Sequence, residues 1–292
     1  MRDQNCSAAL PNPGFSRGSC DAKRWSIGDN RKVYSSSSWG HSGLAEGVVG
    51  LTSLQTPPVV RLTASEFFAS VLAPRPAVAV FDCDGTLWSG DAGYGFMIWS
   101  MDSGLVSRNA SDWIDSRYRL YRTGDVSEAA MCGEMVQVYA GLREDELRKA
   151  TAEYFHAEIE PHIFPQMREL VTQLEAGGTQ IWAVSSTNNW LIEEGVREFG
   201  IAPERVIAAK VRVNAGVISS ELLDVPTDEG KAISLARAGV DSPDAVFGNS
   251  VHDAPMLGIA KRAYAVNATP ALLQISGDKG WPVFYPESAI AD

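Results

Sequence analysis

AVAVFDCDGTLW, residues 77–88, decides the fold. Its first five residues are apolar and read as a buried strand. At the strand's end stand two aspartates one residue apart, Asp82 and Asp84, followed by Gly85 and Thr86. A carboxylate in that position costs free energy unless it is paired, hydrogen-bonded or bound to a cation. The stretch therefore marks a sheet edge at which negative charge has a use. Cys83, between the two acids, reads as packing on the opposite strand face, because neighbouring carboxylates raise a thiol pKa.

Outward from this stretch the chain is α/β from Leu62 onward. TASEFFASVLA predicts a short helix opened by Thr63 or Ser65. Further along, PQMRELVTQLEAGG, NWLIEEGVREFG, EGKAISLARAG and HDAPMLGIA read as helices, and TQIWAV, ERVIAAKV, DAVFG and RAYAV as strands. Apolar strands alternating with amphipathic helices imply a parallel sheet covered on both faces, a Rossmann-like three-layer core. KVRVNAGVISSELLD reads as a small β-hairpin. Between the first two strands, residues 92–160 show helical periodicity with no strand-like run. An all-helical insertion at that point would lie over the carboxyl ends of the strands, where open α/β sheets bind ligands. The expected division is thus a disordered N-terminal tail over 1–60, a core of 61–91 and 161–292, and a helical cap over 92–160. Aromatic side chains in the cap, among them Tyr94, Phe96, Trp99, Trp113, Tyr118 and Tyr121, read as bundle core, although a cationic headgroup would also fit such rings.

Bulk properties narrow the function. Apolar residues make up 45% and charged residues 21%, ordinary values for a soluble globular protein. The formal charge of -11 is uneven: residues 1–61 hold seven Lys/Arg against four Asp/Glu, leaving 18 against 32 for the rest. An acidic body without a basic stripe argues against nucleic acid as a partner. The Ser-, Gly- and Asn-rich start, with no helical or strand period, underlies the expected tail. No run of about 18 apolar residues occurs and the start lacks an apolar h-region, so neither a membrane span nor a secretory signal is expected. Four scattered cysteines with no C-x-x-C pair suit a reducing, cytoplasmic setting.

Three more polar clusters follow a strand or open a helix. WAVSST places Ser185 and Ser186 past a strand, EGK places Lys231 at a helix start, and VFGNSVHD places Asn249 and Asp253 past another strand. In a parallel sheet these positions fall on one edge and converge with Asp82. With these four motifs in this order over residues 76–285, the chain resembles the haloacid dehalogenase superfamily of aspartate-nucleophile hydrolases, and within it the phosphoserine phosphatase-like branch. The spacing agrees. From Asp82 to Ser185 there are 103 positions, room for a helical cap; from Ser185 to Lys231 there are 46, too few for a second.

The resemblance implies a role for each residue. Asp82 would attack phosphorus and become an aspartyl-phosphate, and Asp84 would protonate the leaving alcohol and later take a proton from water. A halide needs no proton to leave, so the second aspartate favours phosphoryl transfer over dehalogenation. Ser185, Ser186 and Lys231 would bind phosphoryl oxygens. Mg2+ would be held by the Asp82 carboxylate, the Asp84 backbone carbonyl and the 249–253 loop, through Asn249 and Asp253. Asn249 stands where the family has an aspartate that binds the metal. Asp91 matches an acidic residue that contacts the substrate's amino group in phosphoserine phosphatases. The implied partner is a small phosphomonoester; a phosphotransferase or phosphomutase, and a phospho-ligand-binding protein without turnover, are the alternatives.

Overall fold

The computed structural model describes residues 59–287. The expected tail lies outside the described residues, apart from Val59 and Val60. Helix α1 (Ala64–Leu72) opens on a capping box. The Thr63 hydroxyl accepts from Glu66 N, and the Glu66 carboxylate accepts from Thr63 N at 2.9 Å. Strand β1 (Val78–Phe81) follows, then the helical insertion: α2 (Ala92–Asp102), α3 (Arg108–Thr123), α4 (Glu128–Gln137) and α5 (Glu144–Tyr154). Each of α2, α3 and α4 has a side-chain cap, from Asp91, Ser107 and Ser127 respectively, and α3 ends on Gly124 at φ +84.

The chain then returns through α6 (Pro165–Ala176), β2 (Gln180–Asn188), α7 (Asn189–Arg197) and the hairpin β3 (Val206–Asn214) and β4 (Val217–Asp224). It closes with α8 (Glu229–Arg237), β5 (Ala245–Gly248), α9 (Ala254–Gly258), β6 (Ala263–Val266), α10 (Pro270–Lys279) and β7 (Val283–Phe284). The hairpin turn is the two-residue Ala215-Gly216, both left-handed at φ +50 and +78.

These strands form one seven-stranded sheet in the order β4-β3-β2-β1-β5-β6-β7, parallel throughout except for the β3–β4 hairpin. The fold is the α/β, Rossmann-like one that the alternating pattern implies. Side chains alternate between two apolar layers. Ala79, Phe81 and Cys83 join the layer that continues into the inserted helices, while Val80, Val184 and Val246 join the one under α8, α9 and α10. An aromatic column of Phe81 on Phe247 (4.3 Å between centroids) and Phe247 on Tyr264 (5.1 Å) ties β1, β5 and β6 together. Such pairs contribute about 0.5–1.5 kcal/mol each beyond area burial. Their effect is to hold in register the strands that end at the polar edge.

Most of the inserted aromatics are core: Phe96 packs on Tyr139 and Tyr154, and Tyr94 stacks on Tyr118 at 4.6 Å. Trp113 is exposed. Among the described residues no helix is long and apolar enough to cross a membrane, and Cys83 and Cys132 are both free and buried.

Two elements differ from the sequence-based expectation. Strand β2 runs past Val184 to Asn188, and its pairing with β3 passes from Ser185↔Ala208 directly to Asn188↔Ala209. Ser186 and Thr187 are therefore extra residues on one strand, a bulge that re-aims its side chains. The helix expected from HDAPMLGIA is split into a 3-10 turn, Val251–Asp253, and α9. The turn forms because the Asp253 carboxylate caps backwards onto Ser250 N at 2.9 Å.

Candidate active site

The register of the sheet brings the motifs together. Phe81 pairs with Ala183 on one side and Phe247 on the other, so Asp82 lies level with Val184 and Gly248, one residue short of Ser185 and Asn249. Asp82 N donates to Phe247 O at 2.9 Å, the last rung before the chain turns. Thr86 N and Leu87 N then both donate to Cys83 O, and the turn passes through Gly85 at φ +74. A Cβ on Gly85 would lie 1.8 Å from Asn249 Nδ2, so this position needs glycine for its dihedral and for space. That close approach also puts the Asn249 amide against the aspartate loop.

Asp82 is surrounded by donors. Its Oδ1 accepts from Lys231 Nζ at 2.7 Å and its Oδ2 from the Thr86 hydroxyl at 2.9 Å. Lys231 sits in the first turn of α8 and also donates to Asp253 Oδ1 at 2.5 Å. The other Asp253 oxygen accepts from Asn249 N and Ser250 N, both at 2.9 Å. Asp253 thus ties the lysine to the β5 loop. Burial, and then repulsion by Asp253, push the Asp82 carboxyl up to about 7 against the pull of Lys231. Burial pulls Lys231 down, but Asp253 and Asp82 outweigh it and hold the ammonium above its ordinary value. The Cys83 thiol is pushed well up, by burial first and by Asp82 and Asp84 next, so it stays protonated.

Asp84 points into a separate set of donors. Trp88 Nε1 donates to its Oδ1 at 2.7 Å and Ala92 N, in the first turn of α2, at 2.9 Å; the Thr187 hydroxyl meets its Oδ2 at 2.8 Å. Burial raises this carboxyl despite the three hydrogen bonds. With Oδ1 occupied by two N–H donors, a proton on Asp84 belongs on Oδ2, where the Thr187 hydroxyl can accept as well as donate. Ser185 is buried at the end of the regular β2 ladder, its Oγ accepting from Thr187 N at 3.1 Å. Ser186 Oγ donates to Pro226 O at 3.2 Å, turned toward the loop before α8. Asp91 caps α2 through Tyr94 N at 2.8 Å and is open to solvent.

Asp82, Asp84, Ser185, Lys231, Asn249 and Asp253 therefore meet at one edge. Thr86, Trp88 and Thr187 are the contacts that sequence reasoning did not single out. Thr86 lies inside the quoted motif, whereas Thr187 reaches Asp84 only through the β2 bulge, which no periodicity announces. The possible metal donors (the Asp82 and Asp253 carboxylates, the Asp84 carbonyl and the Asn249 amide oxygen) are all hard oxygens, the chemistry that Mg2+ takes.

Residues 79–258 match the profile of the family described as haloacid dehalogenase-like hydrolase. Among curated proteins, a histidinol-phosphatase of Neisseria meningitidis serogroup C is 26% identical over 217 residues, covering 70% of this chain and 97% of that protein. A probable phosphatase of Mycobacterium tuberculosis is 23% identical over 220 residues, covering 72% and 76%. Among solved structures, a protein of unknown function from Bordetella pertussis Tohama I superposes with a TM-score of 0.63 at 24% identity, over 71% of this chain and 97% of that one. An unliganded probable phosphoserine phosphatase from Vibrio cholerae superposes with a TM-score of 0.54 at 15% identity, over 73% and 62%. The matched region carries β1 to β5 but for Val78, the insertion and every residue of the convergent edge, with β6 and β7 beyond it. The chain belongs to the haloacid dehalogenase-like hydrolase family.

Proposed function

We propose that this chain is a Mg2+-dependent phosphatase that hydrolyses a small phosphomonoester through an aspartyl-phosphate on Asp82. The observation that carries the reading is the pair of differently held carboxyls. Asp82 is fixed beside Lys231, while Asp84 is raised and aimed by Trp88, Ala92 and Thr187. Two carboxyls one residue apart with separate surroundings suit a nucleophile and a proton carrier.

In this reading a carboxylate oxygen of Asp82 attacks phosphorus, the P–O bond to the alcohol breaks, and the alcohol's oxygen takes the proton from Asp84. Water then gives a proton to Asp84 and attacks phosphorus, and the P–O bond to Asp82 breaks to release phosphate. Lys231 and Ser185 bind the equatorial oxygens. Mg2+, held by Asp82, Asp84 O, Asn249 and the Asp253 loop, would offset repulsion between two anions. Residues 92–160 act as the cap over this edge. Asp91, at the mouth beside Asp84, binds a protonated amine of the substrate, in keeping with relatives named for histidinol phosphate and phosphoserine.

The test is release of phosphate from p-nitrophenyl phosphate with Mg2+, and its loss on chelation and in Asp82→Asn. Asn249, a neutral donor where the family has an anion, is the observation that favours a phospho-ligand-binding protein without turnover. Absence of hydrolysis across a phosphomonoester panel would select that reading instead.

A further inference from the structure

The nucleophile and its partners are closed off: Asp82 is 5% exposed, Ser185 1%, Lys231 2% and Asp253 0%. With the inserted helices as the cap proposed above, substrate enters when they part from the core. Helix α5 is tied to α7 through Arg148 on Glu193 at 2.8 Å and Trp190 Nε1 on Glu144 at 3.1 Å. Separately, the polar contacts that α4 and the loop after it make with the core lie at opposite ends of α4, a helix of about 15 Å. At its carboxyl end the attachment is backbone-like. Gln137 Nε2 donates to Ser220 O at 2.7 Å, and the loop after α4 pairs with the outer edge of β4. There Gly141 N donates to Ile218 O at 2.8 Å, Ile218 N to Leu142 O at 2.9 Å and Glu144 N to Gly216 O at 2.9 Å. At its amino end the contact is a single side-chain chain. Glu128, the first residue of α4, faces His252 Nε2 at 3.8 Å, and His252 Nδ1 lies 2.7 Å from Asp228 Oδ1.

Each member of this chain is held. The Tyr121 hydroxyl donates to Glu128 Oε2 at 2.5 Å and the Cys132 thiol to Glu128 Oε1 at 3.4 Å, which aims the carboxylate at the core. Asp228 stands at φ +48 just before α8, three residues from Lys231, a conformation that a non-glycine residue keeps only when its surroundings enforce it. His252 immediately precedes Asp253, the residue that grips Lys231. One imidazole thus touches the cap, the loop before the lysine helix and the loop after β5.

We propose that His252 is a positioning residue, the clasp that seats the amino end of α4 on the core and, in the same contact, fixes Asp228 and the head of the helix carrying Lys231. The inference rests on the phosphatase reading of this site. The weaker end of α4 is the Glu128 end, because one side-chain approach parts more readily than the four bonds at the other end. His252 touches no reacting atom; it acts through closure and through Lys231.

The experiment is a double-mutant cycle of His252→Ala and Glu128→Ala with p-nitrophenyl phosphate and Mg2+, together with peptide-resolved alkylation of Cys132 by iodoacetamide. Each single variant is expected to lose about tenfold in kcat/KM, with KM rising more than kcat falls. The double variant is expected to lose no more than the worse single, since contacting residues are non-additive. Cys132, buried on α4, is expected to alkylate several-fold faster in His252→Ala at unchanged Tm. Glu128→Ala is left out of this readout because Glu128 itself holds the thiol. His252→Gln, which keeps a donor toward Asp228, is expected to fall between wild type and His252→Ala. Additive losses, or a silent His252→Ala beside a crippled Glu128→Ala, would overturn the clasp, the latter pointing to Glu128 as a substrate contact. The alkylation readout needs no turnover. If the chain hydrolyses nothing, faster Cys132 alkylation in His252→Ala still upholds the clasp while the phosphatase reading falls, and unchanged alkylation in that variant overturns the clasp.

Discussion

Asp82→Asn is expected to abolish turnover and, in the metal-free protein at pH 8, to raise rather than lower stability. The Asp82 carboxyl is pushed from its ordinary 3.8 up to about 7, chiefly by burial. At about 1.4 kcal/mol per pH unit, keeping it ionised in the folded state costs a ceiling of about 4 kcal/mol. The asparagine keeps the shape and still accepts from Lys231, but it exchanges a charge-assisted hydrogen bond for a neutral one, a loss of about 1–1.5 kcal/mol. A net gain of about 1–3 kcal/mol remains. For a domain of this size that corresponds to about 2–10 °C in Tm. The pH dependence carries the sign. Because the folded pKa lies above the unfolded one, the burden is absent below about pH 4, builds up as pH rises through about 7, and is complete above. The advantage of the variant should therefore shrink by more than about half between pH 8 and pH 5. Thermal unfolding in EDTA at both pH values measures it. A variant that melts below the wild type at pH 8, or a difference that ignores pH, would show that attraction to Lys231 outweighs burial and that the reasoning is wrong.

Asp84→Asn should cut hydrolysis of an alkyl phosphate by about 10²–10⁴-fold and that of p-nitrophenyl phosphate far less, because a nitrophenolate leaves without a proton; equal losses on both would remove Asp84 from the role of acid. The apparent Kd for Mg2+, read from calorimetric titration, should weaken about tenfold per pH unit as pH falls from about 7 to 5, since the metal must displace a proton from Asp82; a flat profile would take Asp82 out of the ligand set. Asn249→Asp should tighten Mg2+ by about 10–100-fold, the scale seen when a metal's surroundings change, without raising kcat; no change in Kd would mean that Asn249 is not a ligand. Gly85→Ala should inactivate the enzyme, because its Cβ would meet Asn249 Nδ2 at 1.8 Å with φ at +74; a variant with wild-type kcat would place the loop elsewhere.

How far the sequence reaches depends on how local the determining interaction is. β1 and its two aspartates were legible because an apolar run ending in acids has few physical outcomes, and the parallel sheet followed from period and length. The start of α1 was legible to within two residues, Thr63 or Ser65, for the same reason, since the cap that Thr63 makes with Glu66 is closed within three residues. Thr187 was not. Its contact with Asp84 spans 103 positions and depends on two residues bulging from β2, a backbone event that leaves no mark on the alternation of side chains. His252 was hidden likewise, since a lone histidine beside a motif carries no pattern, and its partners Glu128 and Asp228 come from separate elements. Strand β7 went unread because two strand residues, Val283 and Phe284, are too few to show a period.

The strip of chain from Gly141 to Glu144 does one more thing. A terminal strand such as β4 presents a row of unpaired amide and carbonyl groups, an invitation to another chain. Here Ile218 spends both of its backbone groups on that strip, and Gly216 and Ser220 give their carbonyls to Glu144 and Gln137. Leu222 lies beside Gly133 of α4, yet it, Leu223 and Val217 all stay exposed. The insertion proposed as the cap therefore also occupies part of the sheet edge that would otherwise invite aggregation. A shortened chain lacking it would offer a bare, leucine-bearing edge, and self-association would be its failure even where the remaining core folds.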